Sequence, residues 1–211
     1  MLGANDGIVS TASLIIGVAA AQIVHADIML AGVAGLVAGA MSMAAVEYVS
    51  VSSQSETEKA GLKLEQRSLD NNIDYEKKEL ADIYEARGLD SGLAEQVAEQ
   101  LMAHDALAAH ARDELGLTKG VRARPVQAAF YSASTFTAGV ALPLLTAWFM
   151  PGQLLIPLVA VFSIISLAIS GGLAAFVGGA SLTAGAVRVT FWGALAMGLT
   201  AAVGKLFGVA A

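Results

Sequence analysis

The fold is decided by residues 32–54, GVAGLVAGAMSMAAVEYVSVSSQ, an apolar run that contains one carboxylate, Glu47, and leads into a charged segment. A run of about 20 apolar residues is long enough for a helix to cross the hydrocarbon core of a bilayer. An ionisable side chain in such a helix is costly to insert and marks a candidate functional residue. Glu47 also lies near the end of the run, where its side chain could extend to water at the membrane surface without any functional role. Its position alone leaves both interpretations open.

The composition indicates a membrane protein with a separate polar insert. The chain has 211 residues, of which 56% are hydrophobic and only 14% are charged, far from the average of soluble proteins. Ten of the 12 Lys and Arg residues and 15 of the 18 Asp and Glu residues lie within residues 51–125. The acidic excess of this insert argues against nucleic acid as a partner and is compatible with cations. The absence of cysteine excludes disulfides, thiolate metal sites and cysteine nucleophiles.

The hydropathy pattern predicts an all-α integral membrane protein with five transmembrane helices and a three-helix insert between helices 2 and 3. The expected domains are residues 1–51, 52–120 and 121–211. A turn is expected at residues 25–27, and Gly88 should end one helix before Asp90 or Ser91 caps the next. The spans are expected at residues 8–24, 28–51, 125–149, 154–177 and 186–207, and the insert helices at residues 53–69, 73–87 and 91–115.

The distribution of basic residues predicts the topology. The Lys and Arg residues of the insert place it in the cytosol, so the N-terminus is cytosolic too and the two termini lie on opposite sides. The sequence begins MLGANDGIVS, without a basic region ahead of the apolar run, so it shows no cleavable signal peptide. We expect a first helix that starts abruptly, as in a truncated chain.

Three residues of the predicted spans could contact a transported ion. Asp6 lies in the membrane half of the first span if the residues before Ile8 are helical, and the alternative is that Asp6 caps the helix start. Met43 and Glu47 are four residues apart and share one face of the second span. Two carboxylates at membrane depth on adjacent helices can bind a divalent cation together or exchange it for protons.

The insert carries a second set of candidate ligands. Glu76 and Glu79 share a helix face, and Glu65 would share it if the helix were unbroken. Farther on, His110 and Glu114 are four residues apart. Carboxylates together with an imidazole are suitable ligands for Mn²⁺ and Fe²⁺. The spacing of these residues alone, however, is more typical of an ordinary helix face exposed to solvent. No H-E-x-x-H, G-x-S-x-G or P-loop motif occurs, so transport driven by an ion gradient is the economical interpretation.

Four stretches resemble the vacuolar iron transporter family, in its bacterial form, over nearly the whole chain. They are DGIVSTASLIIGVAAA (residues 6–21), GAMSMAAVEYVSVSSQ (39–54), EKKELADIYEARGL (76–89) and ARDELGL (111–117). The resemblance implies a homodimer with five spans that exports Fe²⁺ or Mn²⁺ from the cytosol in exchange for protons, across a bacterial inner membrane. The metal is then the transported substrate, and no permanently bound cofactor is implied.

The resemblance also assigns roles to individual residues. It implies that Asp6 and Met43 line the translocation path, and Glu47 is a further candidate there. The implied metal-collecting residues of the insert are Glu65, Glu76, Glu79 and Glu114. His110 occupies a position where characterised relatives have methionine, which would replace a thioether by an imidazole.

Two further departures from the family pattern concern carboxylates. Gly35 and Ser68 stand where characterised eukaryotic members have glutamates, so the path must use a smaller ligand set or Glu47 instead.

Two other functions are alternatives to transport. A di-iron ferroxidase would need a Glu-x-x-His repeat, and none occurs. A metal-sensing adaptor would bind ions without moving them.

Overall fold

A computed structural model describes residues 2–117 and 123–210, and these residues form helices and connecting loops without any β-strand. The predicted all-α class is therefore confirmed. The predicted boundary between residues 120 and 121 lies outside the described residues. The helices are α1 (Leu2–Ala20), α2 (His25–Asn71), α3 (Ile73–Ala86), α4 (Ser91–Asp113), α5 (Pro125–Phe149), α6 (Leu155–Val177) and α7 (Leu182–Ala210).

Five of the described helices, α1, α2, α5, α6 and α7, are long and apolar enough to cross a membrane. Large aromatic side chains on these helices are exposed, among them Phe130, Trp148, Trp192 and Phe207. A surface this apolar is unfavourable in water and matches a hydrocarbon environment. The five predicted spans thus correspond to five such helices.

The second helix is longer than predicted. Residues 53–69 were expected as a separate insert helix, but α2 runs without interruption from His25 to Asn71. Side-chain hydrogen bonds between adjacent turns accompany the change from apolar to polar sequence. Thr57 Oγ1 donates to the Ser53 carbonyl at 3.0 Å, and Gln54 Nε2 donates to Glu58 Oε1 at 3.0 Å. No Pro or Gly interrupts residues 40–60, so nothing breaks the helix there.

α1 begins at Leu2, before the expected residue 8, so the interpretation that places Asp6 inside the first helix is confirmed. Two predicted boundaries near the other spans were wrong. The predicted turn at residues 25–27 is helical, and the chain turns before it, at Gln22 with a φ of 60°. α7 begins at Leu182, earlier than residue 186, because the Ser181 hydroxyl accepts a hydrogen bond from the Ala184 N–H at 3.4 Å and caps the helix.

The chain divides into two compact units. The apolar unit comprises Met1–Tyr48 and Val126–Ala211, and the charged unit comprises Val49–Pro125. In the apolar unit, α1 and α5 approach so closely that a β-carbon at Gly139 would overlap the Ala4 carbonyl. Glycine is therefore required there, as is usual where membrane helices touch through their backbones. The core consists of Ala12, Ile15, Ile16, Ile28, Met29, Ala147, Leu155, Val159 and Met197.

The core of the charged unit joins α3 to α4. Leu80 is fully buried against the small side chains of Ala94, Ala98 and Ala109. The predicted break between these helices is confirmed, since Gly88 has a φ of +103° and Asp90 accepts a hydrogen bond from the Leu93 N–H at 3.1 Å. Such a cap stabilises a helix by about 1 kcal/mol.

The predicted helix at residues 91–115 bends inside α4. Asp105 has non-helical backbone angles, with a φ of −164° and a ψ of 90°. Its Oδ1 accepts a hydrogen bond from the Ala108 N–H at 3.0 Å, so Asp105 caps a second, shorter helical segment. This segment, residues 106–113, directs His110 into the interior of the charged unit, where its side chain is completely buried.

Candidate metal centre

Four side chains of the charged unit converge on one point. Glu65 comes from α2, Glu76 from α3, and His110 and Glu114 from the end of α4; one ligand atom of each lies within 4.8 Å of the others. The Nδ1 atom of His110 lies 3.1 Å from Glu65 Oε1, 3.2 Å from Glu114 Oε2 and 3.8 Å from Glu76 Oε2. We call these four residues, which are a candidate site for a metal ion, the metal centre.

Three of the four side chains are shielded from water. The side chains of His110, Glu65 and Glu76 are 0%, 8% and 3% exposed, and that of Glu114 is 29% exposed. Burying carboxylates is costly unless an opposite charge or hydrogen bonds compensate for it. One imidazole nitrogen carries at most one proton and cannot pair with three carboxylates. A divalent cation coordinated by these oxygens and Nδ1 would compensate the negative charge.

The electrostatics of the centre point the same way. Burial and the neighbouring Glu114 carboxylate raise the pKa of Glu65 from 4.5 to about 6, although His110 opposes the shift. Glu79 lies one turn after Glu76 on α3 and is not among the four converging residues. Its pKa is also raised, first by burial and then by the Glu114 and Glu76 carboxylates. The negative charges therefore repel one another, as expected of a cation site.

Ser68 has a contact that its sequence position did not reveal. Its hydroxyl donates a hydrogen bond to Oε1 of Glu76 and leaves Oε2 facing His110. Ser68 follows Glu65 by three residues on α2 and therefore lies on the same helix face. This hydrogen bond orients the Glu76 carboxylate.

A polar network beside the centre was missed by the sequence analysis. Asp113 accepts hydrogen bonds from Tyr84 Oη at 2.9 Å and from Arg87 Nη1 at 2.7 Å. Burial opposes its ionisation, but hydrogen bonds from Arg112, Arg87 and Tyr84 outweigh burial and lower its pKa to about 2. The one available signal was the position of Asp113 directly before Glu114.

The apolar unit contains a cavity of about 190 Å³. Asp6 and Met43 both line it, whereas Glu47, half-buried one turn after Met43, is not among the lining residues. A β-carbon at Gly39 would overlap the ring of Phe136, which forms part of the wall. The other lining residues are Ser10, Thr11, Leu14, Gly35 and Ser42.

Comparison with known proteins gives the family. The sequence profile of the VIT family matches residues 1–205. The chain belongs to the VIT family. This VIT family member is 45% identical over 207 residues to the vacuolar iron transporter of Acanthamoeba castellanii, which covers 98% of this chain and 76% of the relative.

Plant relatives match nearly the whole chain as well, at lower identity. Vacuolar iron transporter homolog 1 of Oryza sativa subsp. japonica is 36% identical, over 99% of this chain and 72% of the relative. Vacuolar iron transporter homolog 2.1 of Arabidopsis thaliana is 34% identical, over 100% of this chain and 81% of the relative. The family resemblance is confirmed. Since its relatives are named as iron transporters, this VIT protein is a multi-pass membrane protein with a non-enzymatic role.

Proposed function

We propose that this protein exports Fe²⁺, Mn²⁺ or both from the cytosol in exchange for protons. The observation that carries the proposal is the convergence of one imidazole and three carboxylates within 4.8 Å in the charged unit. This set of nitrogen and oxygen donors suits Mn²⁺ and Fe²⁺. The names of the relatives, vacuolar iron transporters, support iron as one of the substrates.

In this proposal the charged unit is a cytosolic collector. Its metal centre captures a divalent ion, and Glu79 adds negative charge beside it. Binding releases the proton that Glu65 holds at lower pH, because a ligand carboxylate must be ionised. Glu114 is the most exposed of the four ligands, at 29%, and is the residue at which an ion would enter and leave.

The apolar unit would provide the translocation path. Its cavity offers the carboxylate of Asp6, the thioether of Met43 and the hydroxyl of Ser42. With Gly35 in place of a carboxylate, Asp6 is the acidic ligand of the cavity, and Glu47 would act one turn beyond Met43. Protonation of Asp6 and Glu47 on the return step would couple export to proton entry.

We further propose that the protein works as a homodimer in a bacterial inner membrane. The support for the homodimer is the exposure of Asp6, which lies on an apolar helix; the choice of membrane rests on the resemblance to bacterial members of the family. An ionisable group that faced lipid there would be strongly unfavourable. A second copy that covers the face of α1 around Asp6 would remove it from lipid and complete the cavity wall.

Flux into proteoliposomes tests the function. We expect uptake of Fe²⁺ and Mn²⁺ that exceeds uptake of Co²⁺ and Zn²⁺ and that increases when a pH gradient is imposed. Glu47→Ala should abolish this uptake, and metal tolerance in cells, without preventing membrane insertion. Metal binding without flux would instead support a sensing adaptor. A Glu47→Ala protein that transports as well as the parent would contradict the role of Glu47.

A further inference from the structure

The end of α3 is fastened to the end of α4 by four side chains, which we call the Asp113 clamp: Tyr84, Arg87, Arg112 and Asp113. Asp113 is the acceptor at its centre, with a side chain only 7% exposed. Tyr84 Oη, on α3, and Arg87 Nη1, at the C-cap of α3, donate to it at 2.9 and 2.7 Å. The Arg87 guanidinium also lies over the Tyr84 ring, 5.1 Å from its centroid. Charge-assisted hydrogen bonds of this kind are stronger than neutral ones.

The clamp lies directly beside the ligands. Asp113 precedes Glu114 in the chain and follows His110 by three residues. Arg87 Nη2 also donates to the backbone carbonyl of Asp113, at 3.3 Å, so the main chain next to Glu114 is held as well. The partners on α3 belong to the helix that carries Glu76. The clamp therefore links the two helices that supply three of the four ligands.

The ligand-bearing end of α4 needs such an anchor. The kink at Asp105 separates residues 106–113 from the rest of α4. A helical segment of about two turns is only marginally stable by itself. Asp105 caps its start, and Glu114 lies at its C-cap, beyond the last helical residue. Without a tertiary contact at this end, the positions of Glu114 and His110 would be poorly defined.

We propose that Asp113 and Tyr84 are positioning residues of the metal centre, which hold Glu114 and His110 at the separation from Glu76 and Glu65 that a divalent ion requires. This inference rests on the proposed function, since it presupposes that the centre binds an ion. Residues that orient metal ligands without touching the ion contribute about 10- to 100-fold to metal affinity.

A second ion pair between the same helices provides the matched control. Lys77 Nζ lies 3.0 Å from Glu99 Oε2, also between α3 and α4, but Glu99 is 68% exposed. Glu99 lies before the kink at Asp105, whereas the ligands of α4 lie after it. Glu99→Gln therefore removes an α3–α4 ion pair without loosening the ligand-bearing segment. Tyr84→Phe is the milder change at the clamp, because it retains the ring beneath Arg87 and removes only the hydroxyl.

The experiment measures Mn²⁺ binding to the full-length protein in detergent by titration calorimetry, and the electron paramagnetic resonance spectrum of the saturated site. We expect Asp113→Asn to weaken Mn²⁺ binding about tenfold or more, Tyr84→Phe to weaken it less, and both to broaden the spectrum at saturation. Glu99→Gln should leave the affinity and the spectrum unchanged. Thermal unfolding of the metal-free proteins shows whether any of them is simply destabilised.

The outcomes separate the two proposals. Parental affinity and spectrum in Asp113→Asn and Tyr84→Phe would overturn the positioning role while leaving the metal centre intact. If Asp113→Asn does not fold, Tyr84→Phe decides by the same criterion. An equal loss in Glu99→Gln would show general loosening of the helix pair and would also overturn the role. Absence of Mn²⁺ and Fe²⁺ binding by the parent would refute the metal centre itself, and the positioning role with it.

Discussion

His110 Nδ1 lies 3.1 Å from Glu65 Oε1, although the two residues belong to different helices, α4 and α2. Both side chains are almost completely buried, and this Glu65 oxygen has no hydrogen-bond partner among the described residues. A carboxylate oxygen left in this state is energetically costly. A cation bound to this oxygen would offset the energetic cost.

Glu65→Gln should therefore have opposite effects on stability and on metal binding. Because the raised pKa of Glu65 reflects an unfavourable charged form, the amide should raise the melting temperature of the metal-free protein at pH 7. The same change removes a charged ligand and should lower Mn²⁺ affinity by more than the roughly tenfold that loss of a ligand-orienting residue costs. Differential scanning calorimetry and metal titration measure the two effects. Glu99→Gln is the exposed control, and a destabilised Glu65→Gln protein would contradict this account.

The pH dependence should also have opposite signs with and without metal. Between pH 4.5, where unfolded Glu65 titrates, and about 6, its pKa in the folded protein, the folded state holds more protons. The metal-free protein should thus lose stability as the pH rises through this window. Metal affinity should increase over the same window, because protons compete with the ion. Calorimetric titrations with Mn²⁺ from pH 5 to 7.5 test this, and an affinity independent of pH would contradict it.

Much of the fold follows from local sequence signals. The apolar runs predicted five long helices, and Gly88 with Asp90 predicted the break between α3 and α4. The continuity of α2 was not predicted, because a change from apolar to polar residues at 51–53 resembles a helix boundary. The helix nevertheless continues, because its backbone hydrogen bonds depend little on side-chain polarity where Gly and Pro are absent.

The candidate site was predictable only in part. Glu65, Glu76, His110 and Glu114 were all named from their residue types and family resemblance, but their convergence depends on tertiary packing that spacing does not encode. Asp105 was not predicted to cap a helix. Its capping role depends on a kink that no Gly or Pro announces.

Ser68→Ala tests whether the hydroxyl group orients Glu76. Loss of its hydrogen bond to Oε1 should free the Glu76 carboxylate to rotate and reduce Mn²⁺ affinity by up to about tenfold. Ser68→Thr retains the hydroxyl and should preserve more of the affinity. Calorimetric titration of both proteins measures the difference, and equal affinity in Ser68→Ala and the parent would remove Ser68 from the site.

Gly39→Ala tests the cavity of the apolar unit. A methyl group there would overlap the Phe136 ring and force it to move within the cavity wall. We expect loss of metal flux in proteoliposomes, with Mn²⁺ binding at the metal centre retained. Gly198→Ala, on α7, is the control, because a methyl group at Gly198 meets no atom within 4 Å. Equal flux in the two variants would show that the cavity is not the path.

The most direct test of the metal centre is pulsed electron paramagnetic resonance of Mn²⁺ bound to the purified protein. The account predicts one strongly bound Mn²⁺ that shows hyperfine coupling to a ¹⁴N nucleus, and loss of this coupling in His110→Ala but not in His104→Ala, whose imidazole is exposed on the same helix. Bound Mn²⁺ without nitrogen coupling in the parent, or coupling that persists in His110→Ala, would contradict it.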